Sequence, residues 1–84
     1  MTMPTTVNQE TQARFAAYAA DEGPRHCHAA PEASSFEEAA LEFTELWHPA
    51  ADEDGEVTVI VLDRATGREQ CFTVDLGAGE AAPC

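Results

Sequence analysis

Two runs rich in β-branched residues, EVTVIVLD and REQCFTVDL, are joined by only four residues, RATG, and this constrains the fold of the chain more than any other feature. Val, Ile and Thr pack well on a pleated surface, and Phe72, Val74 and Leu76 alternate as a strand with one covered face requires. The pattern predicts an antiparallel hairpin. A four-residue loop sets Val59 opposite Phe72 and Val57 opposite Val74, whereas a three-residue loop with a bulge at Gly67 sets Ile60 opposite Phe72; both registers are open at this point. Val57, Val59 and Val61 alternate with Ile60 and Leu62, so both faces of the first strand carry apolar groups. One face must meet another layer, and the other is available to a neighbour such as a second subunit.

The covering layer is read from SSFEEAALEFTELW. Ser35 can cap the first turn while Glu38, three residues on, reaches back to its amide, and Glu37 and Glu38 sit where the helix dipole favours negative charge. Phe36, Ala39, Ala40, Phe43, Leu46 and Trp47 recur at spacings of three and four and form one apolar stripe, with Glu38, Glu42 and Glu45 turned outward. Pro49 forbids continuation of the helix beyond His48. Upstream, RFAAYAAD fits a strand over 14–20, with a helix over 9–20 as the alternative. Gly23-Pro24 then favours a turn at 21–24 and a second strand over 25–30. The expected architecture is a small α+β domain over 14–76, of order β-β-α-β-β. One helix lies on one face of an antiparallel sheet, and flexible segments at 1–13 and 77–84 flank it.

Leu, Ile, Val and Phe make up 14 of 84 residues, a sparse supply for a chain of net charge −12. Twelve of them lie between Phe36 and Leu76, which concentrates the apolar content where the core must form. The chain has no Lys; its cations are Arg14, Arg25, Arg64 and Arg68, against 16 Asp and Glu. A phosphate backbone or an anionic membrane would be repelled, so nucleic acid and membrane are excluded as partners. No stretch approaches the length of an apolar membrane span, and MTMPTTVNQETQ lacks the basic and apolar regions of a secretory signal. A cytoplasmic location is expected, and with it three reduced thiols at Cys27, Cys71 and Cys84.

The run SFEEAALEF followed by EVTVIV, a turn and CFTVDL resembles a group of short uncharacterised bacterial proteins that share a phenylalanine-led SFEEAA helix and a V-x-V hairpin. The likeness covers about residues 14–76. Its motifs are structural, so it implies the fold and carries no activity with it.

Few side chains suggest chemistry. On a strand, His26 and His28 of the HCH tripeptide would share a face while Cys27 points the opposite way. Completed by His48, the pair would make a three-histidine zinc site; otherwise the two are ordinary water-facing strand residues. Cys27 lacks a base on its own face, and Cys71 lies in an apolar hairpin, so no nucleophilic thiol is expected. DEDG at 52–55 lacks the glutamate of a calcium loop, since position 61 is Val. No catalytic or phosphate-binding motif occurs. Glu38, Glu42 and Glu45 form a solvated face or a docking stripe for a basic protein. Trp47 either caps the core or anchors a partner. The expected function is therefore that of a non-enzymatic protein-interaction or accessory domain, with self-association into a homodimer as one form of it. The alternatives are a small zinc-binding protein built on His26, His28 and His48 and, below it, a DNA-mimicking inhibitor of a DNA-binding protein.

Overall fold

Three antiparallel pairings built on β3 (Glu56–Asp63), β1 (Phe15–Ala19), β4 (Arg68–Asp75) and β5 (Glu80–Pro83) make most of a five-stranded sheet, which β2 (His28–Ala30) completes in the order β2-β1-β3-β4-β5. The computed structural model describes residues 13–84, so the flexible arm expected at 1–13 lies, apart from Ala13, outside the described residues. Val59 stands opposite Phe72 and Val57 opposite Val74, which selects the four-residue loop, Arg64 to Gly67. The Asp63 carboxylate accepts from the Ala65 amide at 3.0 Å, its carbonyl accepts from Gly67 N at 2.7 Å, and Gly67 takes φ 78°, a left-handed conformation that suits glycine.

The segment expected to be unstructured at 77–84 repeats that device and forms β5. Asp75 Oδ1 accepts from the amides of Gly77 and Ala78, its carbonyl accepts from Gly79 N at 2.8 Å, and Gly79 is left-handed at φ 69°. DRATG and DLGAG are thus two versions of one hairpin loop. The second gives little sign of itself in the sequence, because EAAP has no β-branched residue to advertise a strand.

The second strand is also shorter than expected. Pro24–His26 form a single 3-10 turn after Gly23 at φ 86°, and the strand begins only at His28. Proline at the first helical position favours the turn, and His26 N donates to the Gly23 carbonyl at 3.1 Å. Because β2 and β3 each run antiparallel to β1, they are parallel to one another, so the link between them must cross the sheet.

That crossover is α1 (Phe36–Trp47). Ser35 Oγ accepts from Glu38 N at 3.1 Å as its cap. The Glu38 carboxylate reaches back one residue further than expected, to the amide and hydroxyl of Ser34 at 2.8 and 2.7 Å. At the far end His48 turns left-handed at φ 46° and donates its amide to the Thr44 carbonyl, after which Pro49 stops the helix. Ala39, Ala40 and Phe43 bury against Phe15, Ala17, Ala19, Val57, Val59, Val61, Phe72 and Val74. Phe36 meets Phe15 edge to face at a centroid distance of 5.4 Å.

The stripe read from the sequence ends early. Leu46 is 54% and Trp47 47% exposed, whereas Thr44 is buried with its hydroxyl donating to the Leu41 carbonyl. Leu46 sits two turns beyond Ala39 at nearly the same angle, so it lacks an underlying layer rather than the right orientation.

Candidate functional site

The helix and the loop that leads into it enclose a groove of about 660 Å³. Its acidic side is made by Glu38, Glu42 and Glu45 from α1 and Glu32 from the loop, and its apolar side by Leu41 and Leu46. The three glutamates read from the sequence are therefore brought together, and a fourth joins them. Two are fixed in place: Glu42 accepts from the Glu32 amide through both oxygens at 3.2 and 3.3 Å, and Glu38 is held by Ser34. The hydrogen bonds from Ser34 keep the Glu38 carboxyl below its ordinary pKa, so it stays ionised at neutral pH. Four carboxylates beside the exposed Leu46 and the half-buried Leu41 can accept a cationic side chain with an apolar stem, which describes Arg and Lys.

Trp47 stands apart from that groove. Its ring stacks on His28 at a centroid distance of 3.7 Å and an interplanar angle of 17°, and His28 also stacks towards Phe43 at 6.2 Å. Thus the histidine that opens β2 and the tryptophan that ends α1 cover one another, each half-shielded. Spacing within either segment gives no sign of this pairing, because it depends on how far along the sheet the helix is set.

The three histidines do not gather into one site. His26 lies on the exposed 3-10 turn, His28 lies in the aromatic stack, and His48 caps the helix, so the premise that His26 and His28 share a strand face fails. Among the described residues the only three ligand-type side chains with ligand atoms within 4.8 Å of one another are Asp52, Asp54 and Glu56. Their proximity has a local cause: Asp52 Oδ1 accepts from the amides of Asp54 and Glu56 at 2.8 and 3.0 Å, which closes the turn into β3.

Residues 13–84 match a family of unknown function, DUF5961. The chain belongs to that family. No curated protein and no solved structure matches it. Among the described residues no helix is long and apolar enough to cross a membrane.

The DUF5961 match runs past the 14–76 segment on which the sequence likeness rested and takes in β5 with both of its flanks. Here the expectation of three reduced thiols is corrected. Phe72 pairs with Pro83, so Cys71 falls opposite Cys84; the two form a disulfide with a Cα separation of 5.4 Å, and Cys84 N donates to the Cys71 carbonyl at 3.0 Å. Cys27 is half-buried and takes no part in a disulfide. The bridge depends on the pairing of β5 with β4, an element that EAAP does not mark with strand-favouring residues. The repeated D-x-x-x-G loop was the one available sign of it.

Proposed function

We propose that this domain is a non-enzymatic, cytoplasmic protein-interaction module whose acidic groove receives an Arg- or Lys-bearing segment of another protein. The observation that carries the reading is the convergence of Glu32, Glu38, Glu42 and Glu45 around the half-buried Leu41 and the exposed Leu46 side chains. An arginine from a partner would lay its methylene stem on the leucines and direct its guanidinium to the carboxylates. The surplus of negative charge would speed encounter with a basic segment and make the association weaken with salt.

A peptide array of 12-residue segments that vary the position of one Arg and one Leu supplies the probe, followed by calorimetry on the best binder at low and physiological salt. Glu42→Gln combined with Glu45→Gln should weaken that peptide by about tenfold, the cost of roughly 1.4 kcal/mol of lost charge pairing. Glu38 is left in place because it also holds the helix start. Binding that ignores these two changes, or a basic peptide that binds no better than a neutral one, would count against the groove. In the cytoplasm the 71–84 disulfide meets a reducing pool, so both redox forms are to be measured.

A further inference from the structure

Side-chain packing does little to hold β5 in the sheet. Glu80–Pro83 has no β-branched or aromatic residue, and by register only Ala81, opposite Val74, and Pro83, opposite Phe72, stand on the helix side. Ala81 is half-buried against the core and Pro83 is exposed, so the strand hides little apolar surface. On the other face Glu80 stands opposite Asp75, which is itself opposite Glu56, and like charges set side by side oppose the pairing. What remains to hold β5 is its backbone ladder, the loop closed by Asp75, and the Cys71–Cys84 bridge at its far end.

That bridge is open to attack. Phe72 and Val74 face the helix, so Cys71 lies on the uncovered face of the sheet, where it is half-buried, and Cys84 is exposed. Thiol exchange requires that an outside thiolate reach one of the two sulfurs.

We propose that Cys71–Cys84 is a thiol-exchange site whose reduction releases β5 while the other four strands and the helix stay folded. A low-molecular-weight thiolate attacks Cys84 Sγ and bonds to it as the bond to Cys71 breaks, and the departing Cys71 thiolate takes a proton from water. A second small thiolate attacks the sulfur of the first, which leaves with it as a disulfide and frees Cys84, also protonated by water. The bridge gains two electrons, and the two small thiols supply them by joining to one another.

The rest of the domain survives because every fully buried core residue lies outside β5. Release takes Ala81 away from the core and Gly79 away from a hollow of about 380 Å³ that Leu41, Val74 and Leu76 also line, so apolar surface beside α1 is uncovered. The rim bared on β4 carries Arg68, Glu69 and Asp75, charges that discourage strand addition. The acidic groove plays no part in this release.

Amide exchange followed by NMR on the full chain, oxidised and then treated with an excess of reduced glutathione, tests it. Leu76 N donates to the Gly55 carbonyl and the Cys71 carbonyl accepts from Cys84, so strand alternation points the Thr73 amide towards β5 and the Val74 amide towards β3. On reduction, exchange at Thr73, Ala82 and Cys84 should quicken by at least about tenfold more than at Val74, Val59 or Val61. Glu80→Thr removes the like-charge pair and adds a β-branched residue, so in the reduced chain it should slow exchange at Ala82 several-fold. Equal quickening at Thr73 and Val74 would mean a uniform loss of stability and overturns the proposal. So does unchanged protection at Ala82 in the reduced chain, or a bridge that stays closed in glutathione.

Discussion

The guanidinium of Arg14 grips the carboxylate of Asp63 with two hydrogen bonds, Nε to Oδ1 at 2.9 Å and Nη2 to Oδ2 at 2.8 Å, and so joins the start of β1 to the end of β3. Asp63 is nearly fully buried, and the same carboxylate holds the hairpin loop through the Ala65 amide. The hydrogen bonds from Arg14 are the main reason its carboxyl lies well below the usual carboxylate range; burial opposes them and the Ala65 amide assists.

A carboxyl whose pKa is depressed by folding adds stability above its unfolded pKa, about 3.9, and the contribution fades as pH falls below that value towards the folded one. Asp63→Asn keeps an acceptor for Ala65 and removes the charge. Urea denaturation followed by circular dichroism from pH 7 to pH 2 should show a constant deficit of the variant above about pH 5, which narrows as the pH is lowered further. A deficit independent of pH would mean that the pair acts by shape alone.

The Cys71–Cys84 bridge closes a segment of separation 13, which by the loop-entropy argument stabilises the oxidised chain by about 3 kcal/mol. Reduction, or Cys84→Ser, should lower the urea midpoint accordingly and speed amide exchange at Ala82 and Cys84 in particular. Val59 and Val61 at the centre of the sheet should lose protection only to the extent that global stability falls.

Ser35 is the N-cap of α1, so Ser35→Ala should cost about 1 kcal/mol in the same denaturation assay. Thr substituted there should recover most of the loss.

Trp47 is the only tryptophan, and its fluorescence therefore reports on the stack with His28. His28→Ala should move the emission to longer wavelength as the indole meets water and cost about 1 kcal/mol of stacking, while His28→Phe should retain most of both. An unchanged spectrum in His28→Ala would separate the two rings.

The hairpin and the helix were legible because each was marked twice, once by periodicity and once by its ends: RATG for the former, Ser35 and Pro49 for the latter. The Asp52, Glu56 and Asp75 positions show where that reading stops. Their carboxylates serve backbone turns or lie in a row that only strand pairing creates, and no count of acidic residues distinguishes the two. RHCHAA after a turn signal suggests a strand through His26, but Pro24 favours a single 3-10 turn before extension can begin. The site was partly legible for the same reason. Glu38, Glu42 and Glu45 share a face by helical geometry, whereas Glu32 joins them only through the path of the loop.

The two outermost strands have a bearing on how this molecule behaves when crowded. β2 spans three residues and β5 four, the latter ending in Pro83, which has no amide hydrogen to offer. Neither rim is long enough to template an added strand, and the proline interrupts any attempt at one of them. Growth into fibrils by edge addition is therefore blocked at both sides, and a concentrated solution of this protein should stay clear where an open, longer-rimmed sheet would set into a gel.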